Sequence, residues 1–391
     1  MNLDPVVITA AARTPIGAFQ GVFKDMPATA LGVSAMQGAL AQGGGAAADI
    51  DEVFLGHVAV AGLGQAPVRQ AALCAGLAPE VPCTAISKVC GSSLQAVMLV
   101  HDLLLAGTVS TALAGGMENM SRAPMLLGRE RGAHLAGLLD HLMFDVMQDA
   151  CTGATPIDLS HFVDAAAAEL GLTRALQEAQ ALSSFERAQA AQHSGAFERE
   201  TVPVALPDGR VVACDEPVQK VRPEKFAELK PLSGPGGTAT AATASPLSDG
   251  AAALVLTRAS TARARGWPVR ALVRGHASHA QAPRQFGTAP VGAVRKLLAR
   301  TGWAIDTVDL WEIGEGFTVG LLAVCQALGV PLERVNVHGG ACALGHPVGA
   351  TGARMLVTLL HAMERRGARR GIATLCMGGG EAVAVALELP P

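Results

Sequence analysis

The sequence of 391 residues contains no tyrosine, and aromatic residues make up only 3% of it. Half of the residues are nevertheless hydrophobic, and 45 are glycine. A core built from small aliphatic side chains lets backbones approach closely, which suits several stacked layers of secondary structure. A chain of this length also exceeds one simple core, so we expect two or three domains or lobes.

An excess of charge of one sign is lacking as well. The chain has 30 Lys and Arg against 33 Asp and Glu, which gives a formal net charge of −3. Its basic residues are not gathered into a stripe or a patch. Nucleic acid is therefore not an expected partner.

Paired cysteine spacing and a leader segment are missing too. The eight cysteines are Cys74, Cys83, Cys90, Cys151, Cys214, Cys325, Cys342 and Cys376. Their scatter is no disulfide framework and fits a reducing cytosol. Asp4 and Pro5 follow the start without a basic-then-apolar signal. The most apolar helix, 94–105, is interrupted by His101 and Asp102 and is too short to span a bilayer. We expect a cytoplasmic protein with no membrane partner.

Strand and helix patterns alternate in two stretches of the chain, separated by a proline-rich insertion. The first stretch is expected to end in a strand over 111–114, closed by Gly115 and Gly116. The insertion carries a hairpin signal at Pro207-Asp208-Gly209. Insertions of this length usually serve as lids, binding surfaces or oligomer contacts. The predicted units are an α/β lobe over 1–118 completed by about 248–268, a loop domain over 119–247, and a second α/β lobe over 269–391.

The chain is organised around Cys90, which lies between a short apolar stretch and a helix with a buried face beginning at Leu94. Unpaired backbone N–H groups and the positive end of a helix dipole gather at such a place. We expect them to lower the thiol pKa below its free value of about 8.5 and to raise its reactivity. A small buried structural cysteine is the alternative.

Two glycine-rich segments, 339–352 and 376–381, supply His346 and Cys376 and favour the reactive interpretation. Glycine lets a backbone approach a ligand and leaves N–H groups free for an oxyanion. A thiol and a histidine that accepts its proton are the minimum set for acyl transfer through a thioester. A second thiol is needed only where another proton, such as one on carbon, must also move.

His338, Cys342 and His346 recur at four-residue steps, the spacing of metal ligands on one helix face. The glycines around them argue against a helix, and no fourth ligand is evident. We therefore expect no metal.

In their order and spacing, the segments around Cys90, His346 and Cys376 resemble the thiolases, also called acetyl-CoA C-acyltransferases or β-ketothiolases. The similarity extends over 6–389 and includes 13–17 and 115–121. It implies a five-layered αβαβα fold of two related lobes, with a loop domain inserted in the first. It also implies a homodimer or homotetramer, with coenzyme A (CoA) in a groove covered by the loop domain.

The resemblance assigns a role to each reactive residue. Cys90 would accept the acyl group, and His346 would activate it and later donate a hydrogen bond to the enolate oxygen. Cys376 would move the proton on the methyl carbon of acetyl-CoA. The backbone N–H groups of Cys90 and Gly378 would form the oxyanion hole. CoA and acyl-CoA would be substrates in fatty acid metabolism, with no permanently bound cofactor.

Three CoA contacts and one departure also follow from the resemblance. Ser245, Phe317 and Arg222 fall where the family contacts CoA. Gly314 replaces an asparagine that holds a water for the enolate, and loss of one such donor typically costs about 10²–10³ in rate. We hypothesise that His338 partly compensates. The alternatives are a thiolase-like protein with altered or thiolysis-only activity, or a non-catalytic acyl-CoA-binding protein.

The inserted segment departs from the family as well. Asp158-Leu159 stand where a His-Met pair is common, and Ser233 stands where phenylalanine is usual. Acyl-chain specificity therefore cannot be transferred from the resemblance.

Overall fold

The computed structural model describes residues 4–127, 135–137 and 158–391. The first stretch forms β1 (Val6–Arg13), β2 (Gly17–Ala18), α1 (Ala28–Ala41), β3 (Glu52–Gly56), α2 (Pro67–Cys74), β4 (Cys83–Ile86), α3 (Ser92–Ala106) and β5 (Thr111–Asn119). The inserted segment contributes β6 (Met125–Leu127), β7 (Leu135–Gly137), α4 (Leu159–Leu170), α5 (Arg174–His193), β8 (Val204–Ala205), β9 (Val211–Val212) and α6 (Glu216–Lys220). Cys151 and part of the predicted loop domain lie outside the described residues.

The chain then builds the remaining elements, which begin with a long strand. They are β10 (Ser248–Arg258), α7 (Ala259–Arg265), β11 (Ala271–Ala280), α8 (Ala289–Thr301), β12 (Leu310–Ile313), α9 (Thr318–Leu328), α10 (Ala341–Leu344), α11 (Thr351–Arg366), β13 (Arg370–Met377) and β14 (Glu381–Glu388). β8 and β9 pair antiparallel on either side of Pro207-Asp208-Gly209, which confirms the predicted hairpin.

The main strands join in the order β12-β13-β14-β11-β1-β10-β5-β3-β4, with β2 paired to β10. The two halves meet where β1 pairs with β11 through only Val7–Leu272 and Ile8–Ala271. In the first half, β3–β5 is parallel and β5–β10 and β10–β1 are antiparallel. In the second half, β12–β13 is parallel and β13–β14 and β14–β11 are antiparallel. The halves therefore share one pattern of strand directions, as two related lobes should.

Three hydrophobic clusters stack the helices and the two sheet halves into five layers. α1 and α2 pack on the outer face of the first half. α3 and α11 lie between the two halves in one shared cluster. α8 and α9 cover the outer face of the second half. The predicted αβαβα fold class is confirmed.

β10 shows why strands in this protein consist of consecutive apolar residues instead of alternating apolar and polar ones. Ala251, Ala253 and Val255 belong to the cluster under α1, while Leu254 and Leu256 belong to the central cluster. A strand covered by helices on both faces needs apolar residues at every position. Small alanines at several of these positions let the layers approach closely.

β5 does not end at Gly115 and Gly116, as the sequence predicted, but continues to Asn119. A Cβ at Gly115 would lie 2.1 Å from the carbonyl oxygen of Ala252, and one at Gly116 would lie 2.3 Å from that of Gly349. The glycines are required by close packing against neighbouring backbone rather than by a turn.

Residues 89–106, which include α3, are apolar and long enough to cross a bilayer by composition alone. Leu94, Val97 and Leu104 of this helix are fully buried in the central layer. α3 therefore has the packing of a core helix.

Candidate active site

A strained turn presents Cys90 just before α3. Val89 has a φ of 47°, which is uncommon for a β-branched residue and marks local strain. Ser92 holds the turn, because its hydroxyl donates to the carbonyl of Val89 at 2.6 Å and accepts from the N–H of Lys88 at 2.8 Å. A Cβ at Gly91 would lie 2.4 Å from the Met377 side chain, so the glycine lets the turn contact the end of β13.

His346 lies on a loop that is tied to the first lobe. The buried Glu118 carboxylate accepts from the N–H groups of Gly349 at 2.9 Å and Val58 at 3.0 Å. Burial raises the pKa of Glu118 to about 7. Gly345 has a φ of 100°, where glycine is favoured, and a Cβ there would lie 2.4 Å from the Ser248 hydroxyl.

The thiol of Cys90 and the imidazole of His346 are in direct contact. Sγ lies 3.2 Å from Nε2, while Nδ1 lies 2.8 Å from the hydroxyl oxygen of Thr351. That hydroxyl donates to the carbonyl of Pro347 at 2.9 Å, so its oxygen accepts the proton of Nδ1. We infer that Nε2 is the unprotonated nitrogen and faces the sulfur, as a base for this thiol must.

Burial lowers the pKa of His346 to about 4, with a smaller contribution from the charge of Arg354. The imidazole is therefore neutral near pH 7 and free to accept a proton. Arg354 is itself buried, with Nη1 3.6 Å from a carboxylate oxygen of Glu312.

The predicted lowering of the Cys90 pKa is wrong for the resting protein. Cys90 is half-buried, and the surrounding protein together with Cys376 raises its pKa to about 12. The backbone N–H groups of Cys90 and Gly378 act in the opposite direction because they face the sulfur. The cost of desolvating a thiolate outweighs the effect of the helix terminus, so the thiol keeps its proton in the resting protein.

Cys376 lies near the end of β13 and lines the same cavity as Cys90 and His346. Burial raises its pKa to about 11, so it is a protonated thiol that can donate. The structure thus brings together the three predicted reactive residues and both predicted oxyanion-hole groups.

The catalytic cavity has a volume of about 120 Å³ and an almost entirely apolar wall. Apart from the three reactive residues, the polar side chains on its wall are those of Ser245, Glu315 and Thr351. Glu315 is fully buried and accepts hydrogen bonds from Ser184 and Gln180. This site holds a proton acceptor and two thiols within a mainly apolar wall.

The predicted CoA contacts divide into two groups. Ser245 and Phe317 both line the catalytic cavity, and the Ser245 hydroxyl donates to the carbonyl of Gly316 at 3.2 Å. Arg222 is exposed on the inserted segment, just before the short 3-10 helix Pro223–Glu228, and does not line the catalytic cavity. Its contact with CoA stays a prediction.

Gly314 lines the catalytic cavity, but His338 is not among the described residues that do so. The imidazole of His338 is buried and packs edge-on against Phe197, with ring centroids 5.9 Å apart. It therefore does not take the place of the missing asparagine, which corrects the hypothesis of compensation. A Cβ at Gly314 would lie 2.5 Å from Cβ of Leu375, so this backbone leaves no room for a side chain.

The side chains of His338, Cys342 and His346 do not converge on a common point, as metal ligands would. Cys342 donates to the carbonyl of Glu315, and His346 contacts Cys90. Among residues 4–127, 135–137 and 158–391, the one group of ligand type with converging atoms is His101, Asp102 and His276. Asp102 accepts hydrogen bonds from both histidines there, which links α3 to β11.

Sequence reasoning missed two contacts of the site. Thr351 orients His346, and its position in the first turn of α11, five residues beyond the histidine, was the available signal. Lys88 and Glu381 form an ion pair that joins the turn before Cys90 to the start of β14. No local sequence pattern predicts this ion pair, because its two residues are 293 positions apart in the chain.

Residues 6–260 match the family model described as the N-terminal domain of thiolase, and residues 267–389 match the C-terminal domain. The chain is 42% identical over 394 residues to an acetyl-CoA acetyltransferase of Cupriavidus necator, covering 99% of this chain and 100% of that protein. It is 43% identical over 397 residues to an acetyl-CoA acetyltransferase of Pseudomonas aeruginosa, covering 98% and 99%. A crystal structure of a thiolase from Ascaris suum in complex with coenzyme A superposes with a TM-score of 0.92 at 34% identity, over 99% of this chain and 100% of that one.

Proposed function

Since this chain belongs to the thiolase family of acyltransferases, we propose that it transfers acyl groups between a 3-ketoacyl-CoA and CoA through a thioester on Cys90. The relatives named acetyl-CoA acetyltransferase and the CoA-bound structural neighbour support this choice. The observation that carries it is the 3.2 Å contact between Cys90 Sγ and His346 Nε2, in a cavity that Cys376 also lines.

In the first half-reaction, the sulfur of Cys90 attacks the 3-keto carbonyl while His346 takes the thiol proton. The N–H groups of Cys90 and Gly378, which face the sulfur, bind the resulting oxyanion in this proposal. The carbon–carbon bond then breaks. The acyl group stays on Cys90, and the electron pair leaves as the enolate of acetyl-CoA, which takes a proton on carbon from Cys376.

In the second half-reaction, the thiol of CoA loses its proton to the Cys376 thiolate and attacks the thioester. Cys90 leaves as a thiolate and recovers its proton from protonated His346. Cys90 regains its own proton, and the proton that Cys376 gave to acetyl-CoA is replaced by the one from the CoA thiol, so the cycle closes without a change of oxidation state. Read backwards, the same steps form the carbon–carbon bond by Claisen condensation.

Gly314 bears on both directions of this reaction. The enolate is common to thiolysis and condensation, and a catalyst cannot alter the equilibrium constant between them. A missing enolate donor therefore raises the barrier in both directions, by about 10²–10³ in rate where nothing replaces it. This argues against the thiolysis-only alternative and for a slower thiolase.

The test is thiolysis of acetoacetyl-CoA by CoA, compared with the Cys90→Ser enzyme. We expect the substitution to lower kcat by about 10³-fold or more, and mass spectrometry to find an acetyl group on Cys90 of the wild type. A non-catalytic acyl-CoA-binding protein would instead bind CoA without turnover in either form. An acyl group on another residue would contradict the mechanism.

We further propose a homodimer or homotetramer with cytoplasmic localisation and a place in fatty acid metabolism. Support for assembly comes from β4, which is the edge of the sheet and exposes Thr84 and Ala85. An uncovered edge strand is a ready template for pairing with a second chain. Light scattering on the purified protein tests the assembly, and a monomer would contradict it. Cell fractionation tests the location.

A further inference from the structure

Three side chains converge where α3 of the first lobe meets β11 of the second. His101 and Asp102 are neighbours on α3, and His276 lies on β11, 174 positions after Asp102. Nδ1 of His101 lies 3.1 Å from Oδ1 of Asp102, and Nε2 of His276 lies 2.8 Å from the same oxygen. None of the three residues lines the catalytic cavity. The group therefore lies outside the site already described.

Helix geometry alone does not bring these side chains together. Successive residues of a helix point about 100° apart, so neighbours such as His101 and Asp102 do not normally face each other. Here both side chains turn toward His276. The two imidazole rings meet edge to face, with centroids 5.0 Å apart and planes at 87°. This arrangement directs one nitrogen of each ring at the same carboxylate oxygen.

The backbone that carries the group is well packed. Val100 and Leu104 of α3 belong to the same buried cluster as Val273 of β11. The two histidine side chains are only 10% and 14% exposed, whereas the side chain of Asp102 is 59% exposed. Ligands on packed elements keep their positions, and the open side at Asp102 gives access to water.

Two imidazole nitrogens and one carboxylate oxygen are donors that suit zinc. Imidazole binds transition metals such as zinc, whereas magnesium and calcium prefer oxygen ligands alone. A zinc ion with three protein ligands completes its tetrahedron with water, and ligands about 2.0–2.1 Å from the ion then lie roughly 3.3 Å apart. The three ligand atoms here all lie within 4.8 Å of one another, so small rotations of the side chains reach that spacing.

The two arginines beside the group are bound to other atoms. Arg258 donates from Nη1 to the carbonyl of Leu104 at 3.1 Å and from Nε to Asp4 at 3.2 Å. Arg300 donates from Nη1 to the carbonyl of His276 at 2.6 Å, which helps to fix the strand that carries this histidine. The carboxylate of Asp102 therefore keeps its negative charge for the histidines and for a cation.

We propose that His101, Asp102 and His276 bind one zinc ion, which holds α3 against β11. Ligand spacing in the sequence predicts no such site, because His276 is far along the chain from the other two residues. The ligands come together only in the folded chain, so binding of the ion stabilises the fold. The proposal does not depend on the reaction proposed for Cys90.

The first test adds zinc chloride to the full-length protein after a chelator has removed bound metals, and calorimetry measures the affinity. His276→Gln should weaken binding by about 100-fold or more, because even partners in the outer shell of a metal site contribute roughly 10–100-fold. His279→Gln is the matched control, since His279 lies on the same strand and outside the converging group. Equal affinities of the two variants would overturn the proposal, as would a wild type that binds no zinc.

The thiols of the catalytic cavity are the competing site for zinc, and cobalt distinguishes the two. Co²⁺ bound by nitrogen and oxygen lacks the sulfur-to-metal charge-transfer absorption that a cysteine ligand produces. We expect a visible spectrum of tetrahedral Co²⁺ without that absorption, unchanged by Cys90→Ser and lost in His276→Gln. A charge-transfer band that Cys90→Ser removes would assign the metal to the catalytic cavity and overturn the proposal.

Unfolding in urea tests whether the ion stabilises the fold. Excess zinc should raise the midpoint of the wild type and of His279→Gln, and should leave that of Asp102→Asn nearly unchanged. Asp102 is exposed, so Asp102→Asn removes a ligand without opening the core even if His276→Gln fails to fold. A shift in Asp102→Asn as large as in the wild type would place the ion elsewhere and overturn the proposal.

Discussion

The hydroxyl of Thr351 controls which nitrogen of His346 can act as a base. It donates to Pro347 and accepts from Nδ1, so the lone pair of Nε2 is left facing Cys90. Thr351 is therefore a positioning residue that acts through the histidine. Its effect should be lost with the hydroxyl and kept with any residue that retains it.

We predict that Thr351→Val lowers the rate of acyl-enzyme formation by about ten-fold or more, because the imidazole loses its fixed tautomer. Thr351→Ser keeps the hydroxyl and should restore most of the rate. Single-turnover release of acetyl-CoA measures the step, and thermal unfolding controls for stability. A serine variant as slow as the valine variant would reject the role of the hydroxyl.

The pH dependence of the same step follows from two shifted groups. His346 has a pKa of about 4 and Cys90 one of about 12, both through burial. Lowering the pH through 4 protonates the base and abolishes the step. Between about pH 6 and 9 neither group titrates, so the single-turnover rate should be flat. A steep rise near pH 8 would instead show an unshifted cysteine.

The reactive residues could be found from sequence because glycines flank each of them, but their protonation could not. The pKa values of Cys90 and His346 depend on burial by segments far away in the chain, such as Leu247 and Met377, which line the same cavity. The residues next to Cys90 and His346 in the sequence do not predict that burial. The assignment of His338 failed for the same reason, since its neighbour is Phe197.

At the scale of elements, the end of β1 anchors the inserted segment. The fully buried guanidinium of Arg13 donates to Asp215 at 2.7 and 2.9 Å and to Glu200 at 2.6 Å. Asp215 also accepts from the N–H of Ile16 at 2.8 Å. These contacts join the first lobe to the inserted segment, and no local sequence pattern predicts them.

Asp215→Asn should destabilise the protein by about 3–5 kcal/mol, because it removes one of the two carboxylates paired with a buried guanidinium. Asp208→Asn is the control, since Asp208 pairs with Arg210 on the surface and its loss should leave the unfolding midpoint unchanged. Denaturant unfolding followed by circular dichroism measures both. Equal midpoints for the two variants would show that the anchor contributes nothing.

A second prediction at this scale concerns the segment between β12 and α9. Gly314→Ala places a Cβ 2.5 Å from Cβ of Leu375 and should cost about 1–3 kcal/mol of stability. Gly316→Ala meets no atom within 4 Å and should be tolerated. Thermal unfolding distinguishes them, and a Gly314→Ala protein as stable as Gly316→Ala would contradict the crowding.

Element positions were largely predictable, because apolar spacing at two or at three and four residues reports local backbone geometry. β8 and β9 form the hairpin that Pro207-Asp208-Gly209 predicted. β5 was predicted too short because Gly115 and Gly116 look like a turn in isolation. Only the backbone of Ala252 and Gly349, far along the chain, explains them.

For the whole molecule, the central layer matters most. α3 follows Cys90, α11 follows His346, and both lie in one hydrophobic cluster with strands of each sheet half. The site therefore exists only where the two lobes pack together. Separate lobes would each hold an incomplete set of reactive groups.

We predict a single cooperative unfolding transition for both lobes. Trp303 and Trp311 lie in the second lobe, whereas Trp267 lies beside Gly45 of the first, so fluorescence of a Trp267→Phe protein reports the second lobe, while far-ultraviolet circular dichroism reports every helix. Coincident midpoints in urea are expected because the lobes share one cluster. A fluorescence change well separated from the dichroism change would show that the lobes unfold independently.

The high pKa of the Cys90 thiol also affects how readily its sulfur is oxidised. Peroxide oxidises thiolates and leaves thiols largely alone. Under the proposed mechanism Cys90 becomes an anion only during turnover, so peroxide should leave its thiol largely unmodified in the resting protein. In aerated solution, protein that is turning over substrate should therefore lose activity faster than protein without substrate, whose Cys90 sulfur should stay reduced.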